Sequence, residues 1–189
     1  MTEEFQSDYK LRGIRWGGVS FNVPKFFEGE FVLETGCGNG KTLKSLPADA
    51  VGIDISTEAV SLAGGNALAG DICFLPFGDC TFDAVLCFHV LGHLKADDRR
   101  KAAAEMFRVL KKGGKIYFKG FSKRDFRFGK GDEVEPDSFL KGDGITTHFF
   151  DETEVRDLFG EGDVSLKSWT LMIRAVPYLR EEVCGVFEK

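Results

Sequence analysis

Three glycines at alternate positions follow an acid at the end of a short apolar run. Residues 31–33 lead into Glu34, and Gly36, Gly38 and Gly40 come after it. Glycine permits positive φ in a tight turn and leaves the backbone open to a bound ligand. The pattern predicts a strand that ends in a nucleotide-binding turn, with an adenosine-like ligand on the backbone. A tight connection between a strand and a helix is the simpler alternative.

The glycine spacing argues against a dinucleotide ligand. A dinucleotide fingerprint has the form Gly-x-Gly-x-x-Gly, which sets a pyrophosphate at a helix N-terminus. Here Lys41 takes the position of that third glycine. No pyrophosphate site is therefore predicted, and a nicotinamide oxidoreductase is disfavoured.

Two more acids stand where the next two strands are expected to end. The apolar run 50–53 ends in Asp54, and the run 67–70 leads to Asp71. Single acids at such positions are often helix caps or turn residues. In an open α/β sheet, however, ligands bind beyond the carboxyl ends of the strands, and an acid on the second strand can accept both ribose hydroxyls. We therefore assign Asp54 to the ribose.

The stretch from Glu34 to Gly40 resembles motif I of the class I S-adenosylmethionine-dependent methyltransferases. The similarity continues through segments 80–94 and 106–118 and spans residues 31–121. It implies a Rossmann-like α/β sheet of about seven strands, mostly parallel with an antiparallel C-terminal hairpin, and helices on both faces. The implied cofactor is S-adenosylmethionine, which carries an ammonium and a carboxylate in place of phosphates.

The resemblance also implies roles for single side chains. Glu34 suits the cofactor's ammonium group, and Asp71 is expected against the adenine amino group. Ile55 and Ile72 could enclose the adenine ring between them.

The residues before the first strand, 1–28, are expected to form a flap over the cofactor. Arg12 or Arg15 could pair with the methionyl carboxylate, and Trp16 could shield the sulfonium by a cation–π contact. A helix packed on the outside of the domain explains these residues equally well. The full set of expected cofactor contacts is Glu34, Gly36, Cys37, Gly38, Gly40, Asp54, Ile55, Asp71, Ile72, Phe88, Trp16 and Arg12.

Hydrophobic spacing predicts the elements that position these residues. A buried fourth strand is expected within 80–94, and a fifth over 116–118. The expected helices and late strands are a short helix over 41–46, a helix from Asp97 to a C-cap at Gly113, a helix over 152–158, and two strands over 164–173 and 183–187.

Methyl transfer needs an acceptor held in line with the methyl group, and a base only if the acceptor carries a proton. His89, at the expected end of the fourth strand, is the first candidate base, and His148 is the second. For each, a hydrogen-bonded rim histidine is the alternative. His89 and His93 have a metal-like spacing, but a third ligand is missing, so no metal is expected. Cys87 is interpreted as a small packing residue.

Residues 122–150 form a long segment without amphipathic period, which we interpret as a substrate-binding insertion. It looks similar to the insertion of the tRNA 3-methylcytidine methyltransferases, whereas the compact chain resembles small methyltransferases of the tellurite-resistance type. We favour a small-molecule acceptor. A tRNA base, or a cofactor-binding scaffold without turnover, is the alternative.

Charge and composition limit the possible ligands, the number of domains and the cellular compartment. Between Arg99 and Lys130 the chain has twelve Lys or Arg and two acids, although its net charge is −5. This basic stripe could attract an anionic substrate or RNA, or could be a solvated helix face. The 189 residues fit one methyltransferase domain, 1–189. Five cysteines without a Cys-x-x-Cys pair, no long apolar run and no signal-peptide pattern predict a cytoplasmic protein without membrane contact.

Overall fold

The computed structural model describes residues 2–14, 23–26 and 29–189. In chain order its elements are α1 (Thr2–Arg12), β1 (Val32–Thr35), β2 (Val51–Asp54), α2 (Thr57–Ala63), β3 (Ala67–Ala69), β4 (Phe82–Phe88), α3 (Ala96–Val109), β5 (Leu110–Phe121), β6 (Asp132–Glu135), β7 (Ser138–Leu140), β8 (Thr146–His148), α4 (Glu152–Phe159), β9 (Gly162–Ile173) and β10 (Val176–Glu188). No helix in this part of the chain is long and apolar enough to cross a bilayer.

Seven strands form the main sheet in the order β3-β2-β1-β4-β5-β10-β9. The first five run parallel, and β10 pairs antiparallel with both β5 and β9. The predicted fold class, with its antiparallel C-terminal hairpin, is confirmed. In such a sheet the carboxyl ends of β1, β2 and β4 meet at one edge, so the loops that follow them are neighbours.

One face of the sheet is covered by α3 and α4. The predicted apolar positions Ala102, Met106 and Val109 of α3 are fully buried, and Val155 and Phe159 of α4 join the same core. Burying these side chains at helical spacing is what holds an amphipathic helix on a sheet. A smaller cluster on the opposite face contains Val32, Ala84 and Leu86, with Leu43 and Leu46 packed against it.

The α3 helix ends earlier than predicted. Its C-cap is Leu110, which is fully buried and already extended, and β5 begins at that residue. The last carbonyls of the helix, of Arg108 and Val109, accept the N–H groups of Cys80 and Thr81. A tertiary contact therefore caps this helix, and Gly113, with φ of +78°, instead forms a turn inside the strand.

Two other predicted elements differ. The helix expected over 41–46 is reduced to a 3-10 turn at Leu43–Ser45. The insertion 122–150, expected to be irregular, contains a small antiparallel sheet in the order β6-β7-β8. Its strands have only three or four residues, which is too short for a period to be recognised in the sequence.

Candidate cofactor and methyl-transfer site

The glycine-rich turn after β1 has the geometry that its sequence predicts. Gly36, Gly38 and Gly40 all have positive φ, of +68°, +53° and +76°. A Cβ at these positions would lie 2.4 Å from Val90, 2.5 Å from the Tyr9 hydroxyl and 2.9 Å from Ala63, respectively. Neighbouring side chains therefore require glycine at these positions, in addition to any requirement of a ligand. The sequence alone did not show this packing requirement.

Asp54 joins the turn after β1 to the end of β2. Its Oδ2 accepts the Gly38 N–H at 2.8 Å, and its Oδ1 accepts the Ser56 N–H at 2.9 Å. Burial raises the pKa of Asp54, and these backbone hydrogen bonds act in the opposite direction. Each carboxylate oxygen has a second lone pair, so both can still accept a hydroxyl. This arrangement fits a ribose.

Glu34 is a buried acid whose second oxygen has no hydrogen-bond partner. The residue is 4% exposed, and its Oε2 has no partner among the described atoms. Burial raises the pKa of Glu34 to about 8, although hydrogen bonds from Thr42 and Leu43 lower it. An ammonium group nearby would favour the ionised carboxylate. The orphaned oxygen therefore fits the amino group of S-adenosylmethionine.

The residues expected to bind adenine lie after β2 and β3, and they differ in exposure. Asp71 Oδ1 accepts the Cys73 N–H at 2.8 Å, which fixes the turn. Ile55 is 40% exposed, whereas Ile72 is 5% exposed and belongs to the main core. Ile55 therefore offers an open apolar surface, while Ile72 supports the turn from beneath.

Helix α1 lies across the glycine-rich turn. Tyr9 is buried over Gly38, and Gln6 exchanges hydrogen bonds with Ser56 and Thr57 at the start of α2. The helix thus covers two of the loops at the carboxyl edge, as the expected flap would. The predicted contact Trp16 lies outside the described residues, as does Arg15. Arg12 ends α1, and its side chain is likewise outside the described part.

His89 stands at the end of β4 beside Phe88 and has an unusual backbone. Its φ is +62°, a backbone value that residues other than glycine rarely adopt. Residues held in such conformations cluster at functional sites. Its Nε2 lies 3.2 Å from Glu182 Oε1, and its ring stacks on Phe121 with centroids 4.4 Å apart. Its Nδ1 is buried without a hydrogen-bond partner among the described residues.

Glu182 is a site residue that the sequence analysis missed, because it lies on β10, far from His89 along the chain. Burial acts to raise the pKa of Glu182, but the hydrogen bond and charge of His89 outweigh it, so the pKa is lowered. A carboxylate beside Nε2 favours a proton on that nitrogen and leaves Nδ1 as an acceptor. His89 can then take a proton through Nδ1.

His148 is not brought to the transfer site. It is 2% exposed, its Nδ1 lies 2.7 Å from Ser138 Oγ, and its Nε2 lies 2.8 Å from Glu154. Arg99 extends this network by ion pairs to Glu154 and Glu135. Both ring nitrogens are engaged where the insertion packs on α3 and α4, so the proposal of His148 as a second base is corrected to a structural role.

The other candidate groups also have local partners. His93 Nδ1 lies 2.8 Å from the Thr146 carbonyl, and its ring packs on Phe5 rather than beside His89. Within the described ranges, no cluster of three metal-ligating side chains is found. Cys87 is fully buried, and burial raises its pKa to about 12, which suits the packing role.

The basic stripe from Arg99 to Lys130 divides into two parts. On α3 its members pair with acids: Arg100 with Asp97, Lys101 with Asp98, and Arg108 with Glu105. Lys111, at the start of β5, pairs with Asp83, and Lys123 pairs with Asp137 and Asp151. The second part consists of Lys119, Arg127 and Lys130, which lie near the carboxyl end of β5 or in the loop after it.

Comparisons with known proteins identify methyltransferases as relatives of this chain. A protein-family sequence model, described as a methyltransferase domain, matches residues 33–118 of this chain. A putative methyltransferase of Encephalitozoon cuniculi is 39% identical over 111 residues, covering 56% of this chain and 52% of the relative. A tRNA N(3)-cytidine methyltransferase of Gallus gallus is 29% identical over 151 residues, covering 68% of this chain and 41% of the relative. The chain thus spans about half or less of these relatives.

A solved S-adenosylmethionine-dependent methyltransferase of Methanosarcina mazei has the same fold. The TM-score is 0.69 at 24% identity, covering 86% of this chain and 94% of that one. These similarities support a class I S-adenosylmethionine-dependent methyltransferase, with S-adenosylmethionine as its cofactor.

Proposed function

We propose that this protein transfers the methyl group of S-adenosylmethionine to an acceptor held at the ends of β4 and β5, with His89 as the base. One observation carries the proposal: the strained His89 has a buried, unpartnered Nδ1, next to a carboxyl edge that also holds Glu34, Asp54 and the glycine turn. Bound there, the cofactor supplies a methyl group already activated on a sulfonium.

Different residues at the carboxyl edge bind different parts of the cofactor. The positive-φ glycines leave the backbone open, Asp54 accepts the ribose hydroxyls, and Glu34 faces the ammonium group. Ile55 offers its exposed side chain to the adenine, whose amino group reaches Asp71. Helix α1 excludes water from above. Positioning of this kind contributes roughly 7 to 11 kcal/mol to a group transfer.

His89 acts on the acceptor rather than on the cofactor. Its Nδ1 accepts the proton that an oxygen or nitrogen acceptor loses, while Glu182 holds the ring through Nε2. A positioned base adds about 10²- to 10⁴-fold to the rate. Glu182 acts through His89 and is a positioning residue.

A small molecule was the acceptor favoured by the sequence, and it remains a candidate. A tRNA base is the second candidate, because the similarity to the Gallus gallus tRNA methyltransferase extends over 151 residues, beyond the 86 residues of the matched domain. We also propose a reducing compartment such as the cytoplasm, since all five cysteines carry free thiols.

The test is transfer of labelled methyl from S-adenosylmethionine into two fractions of a cell extract, metabolites and RNA. We expect label in one fraction, with loss of cofactor binding in Asp54→Ala measured by calorimetry. His89→Ala should bind cofactor normally and lose most turnover. Tight cofactor binding with neither fraction labelled would favour the scaffold alternative and refute an active transferase.

A further inference from the structure

A continuous surface of basic and aromatic side chains extends from His89 onto the C-terminal hairpin. We call it the basic–aromatic face. It is formed by the end of β5, the loop that follows it, and strands β9 and β10. Its members are Lys119, Phe121, Phe126, Arg127, Lys130, Lys167, Trp169, Tyr178 and Arg180.

Strand register places the strand residues of this face on one side of the sheet. Glu182 of β10 lies opposite Phe121 of β5 on one flank and opposite Lys167 of β9 on the other. Trp169 of β9 lies opposite Arg180 of β10. Residues opposite each other in antiparallel strands point to the same side, and so do alternate residues of one strand. The side chains therefore share a side with Glu182, the partner of His89.

The cations of the face rest on aromatic rings. The Arg127 guanidinium lies 3.7 Å from the centre of the Phe121 ring, whose stacking partner is His89. The Arg180 guanidinium lies 5.2 Å from the same ring and 5.3 Å from Trp169. Lys130 Nζ lies 4.5 Å above Phe126. These contacts fix the cations in place and leave their charge available to a ligand.

The charge of the face is opposite to that of the whole chain. Five basic side chains lie on it, and the acids packed among them are Asp125, which binds Arg127 and Arg180, and Glu182. The remaining excess of positive charge contrasts with the net charge of −5. Nearby, Arg124 lies close to Glu181, and Lys141 interacts with both Asp143 and Asp125.

We propose that the basic–aromatic face binds a single-stranded segment of RNA and delivers one base to His89. The inference rests on the proposed methyl transfer and names its acceptor. Unpaired bases stack on aromatic rings and arginine planes, and the phosphates need cations between them. A single small anion would use one or two cations, whereas here five are spread over β5, the loop after it, β10 and β9, and four of the five lie over an aromatic ring.

Dimensions agree with such a ligand. The strands from β4 to β9 are separated by three spacings, which is roughly 14 Å. Trp169 is 41% exposed, and Lys130 and Lys167 are both exposed, so the far end of the face is open. A strand of RNA lying across β10 could therefore reach both His89 and Trp169.

The experiment measures binding of a fluorescent single-stranded RNA of about 12 nucleotides, a length within the usual site size, in the presence of S-adenosylhomocysteine. The variants are Lys130→Ala with Lys167→Ala, and separately Trp169→Ala. Arg127 and Arg180 are left intact because Asp125 beneath them is fully buried. The matched control is Arg100→Ala with Lys101→Ala, two exposed cations of α3 that already pair with acids.

We expect the protein with both Lys130→Ala and Lys167→Ala to bind RNA more weakly. The slope of the logarithm of the RNA association constant against the logarithm of salt concentration should become shallower by about 0.7 for each cation removed. Trp169→Ala should weaken binding at least about fivefold, as expected for a lost stacking platform. The α3 control should bind like the original protein. Anisotropy of the labelled RNA and calorimetry of the cofactor are measured on the same preparations.

The inference would be overturned by an absence of RNA binding at roughly 50 mM salt, or by equal weakening of RNA binding in the control. If the extract assay labels only metabolites, the RNA proposal fails and the transferase proposal stands. If RNA binds as described but no fraction is labelled, the transferase proposal fails instead. Binding of a protein through the exposed tip residues Met172 and Val176, without RNA, would also refute the RNA proposal.

Discussion

The hydroxyl oxygen of Tyr9 lies only 2.5 Å from the position that a Cβ on Gly38 would occupy. Helix α1 and the glycine-rich turn are thus fitted to each other. A glycine that the sequence assigns to ligand approach also lets the N-terminal helix close over the turn. Gly38 is therefore needed for the packing of α1, in addition to its proposed role in cofactor binding.

Gly38→Ala is expected to destabilise the protein by about 2 kcal/mol, from left-handed strain of about 1 kcal/mol plus the Tyr9 collision. Chemical denaturation measures this loss. Gly129→Ala is the control, because Gly129 has φ of +74° and nothing within 4 Å of the added Cβ. Tyr9→Phe should recover part of the Gly38→Ala loss, since it removes the colliding oxygen. Equal losses for Gly38→Ala and Gly129→Ala would show that Tyr9 does not lie where we describe it.

Glu34 predicts a pH dependence of stability. Its folded pKa of about 8 lies above the ordinary 4.5, so the folded protein holds a proton that the unfolded chain releases. Stability without cofactor should therefore fall as pH rises between these two values, by at most about 1.4 kcal/mol per unit. Glu34→Gln cannot ionise and should lack this component. Denaturation curves at about pH 5 and pH 8 make the comparison.

Cofactor binding should couple to the same proton. An ammonium group beside Glu34 favours its ionised form, so binding near neutral pH releases a proton. Calorimetry in buffers of different ionisation enthalpy detects the release, and Glu34→Gln removes it. An unchanged proton count in that variant would mean that another group carries the effect.

Glu182→Gln is expected to lower kcat by about tenfold, because His89 would lose part of its orientation as a base. Cofactor affinity should stay the same. The rate is measured across a pH–rate profile, and cofactor affinity is measured by calorimetry on the same preparation. Glu188→Gln is a control on the same strand, where the side chain is exposed. Equal kcat values across the profile would exclude Glu182 as a positioning residue.

His148→Ala should reduce stability by about 1 to 3 kcal/mol and leave kcat of the surviving folded protein close to normal. The substitution leaves Ser138 and Glu154 with unmatched hydrogen-bonding groups in a buried network. Thermal unfolding and a rate assay separate the two effects. His89→Ala should show the reverse pattern, with a large rate loss and a small stability change. A rate loss for His148→Ala as large as that for His89→Ala would return His148 to the list of bases.

The sequence by itself determined the sheet and the strand ends at which we propose that the cofactor binds. Local patterns carry this information: the glycine turn, Asp54 after an apolar run, and the α3 residues at helical spacing. These features depend on neighbours within a few residues, so they could be recognised without coordinates.

Only the tertiary structure decided which side chains meet. Glu182 reaches His89 from β10, and Trp169 and Arg180 meet across a hairpin register, although nothing near His89 in the sequence points to them. In the same way, long-range contacts ended α3 at Val109 and buried His148 between Ser138 and Glu154. Strand pairing and burial act between residues far apart in the chain, and this is why sequence spacing alone could not determine them.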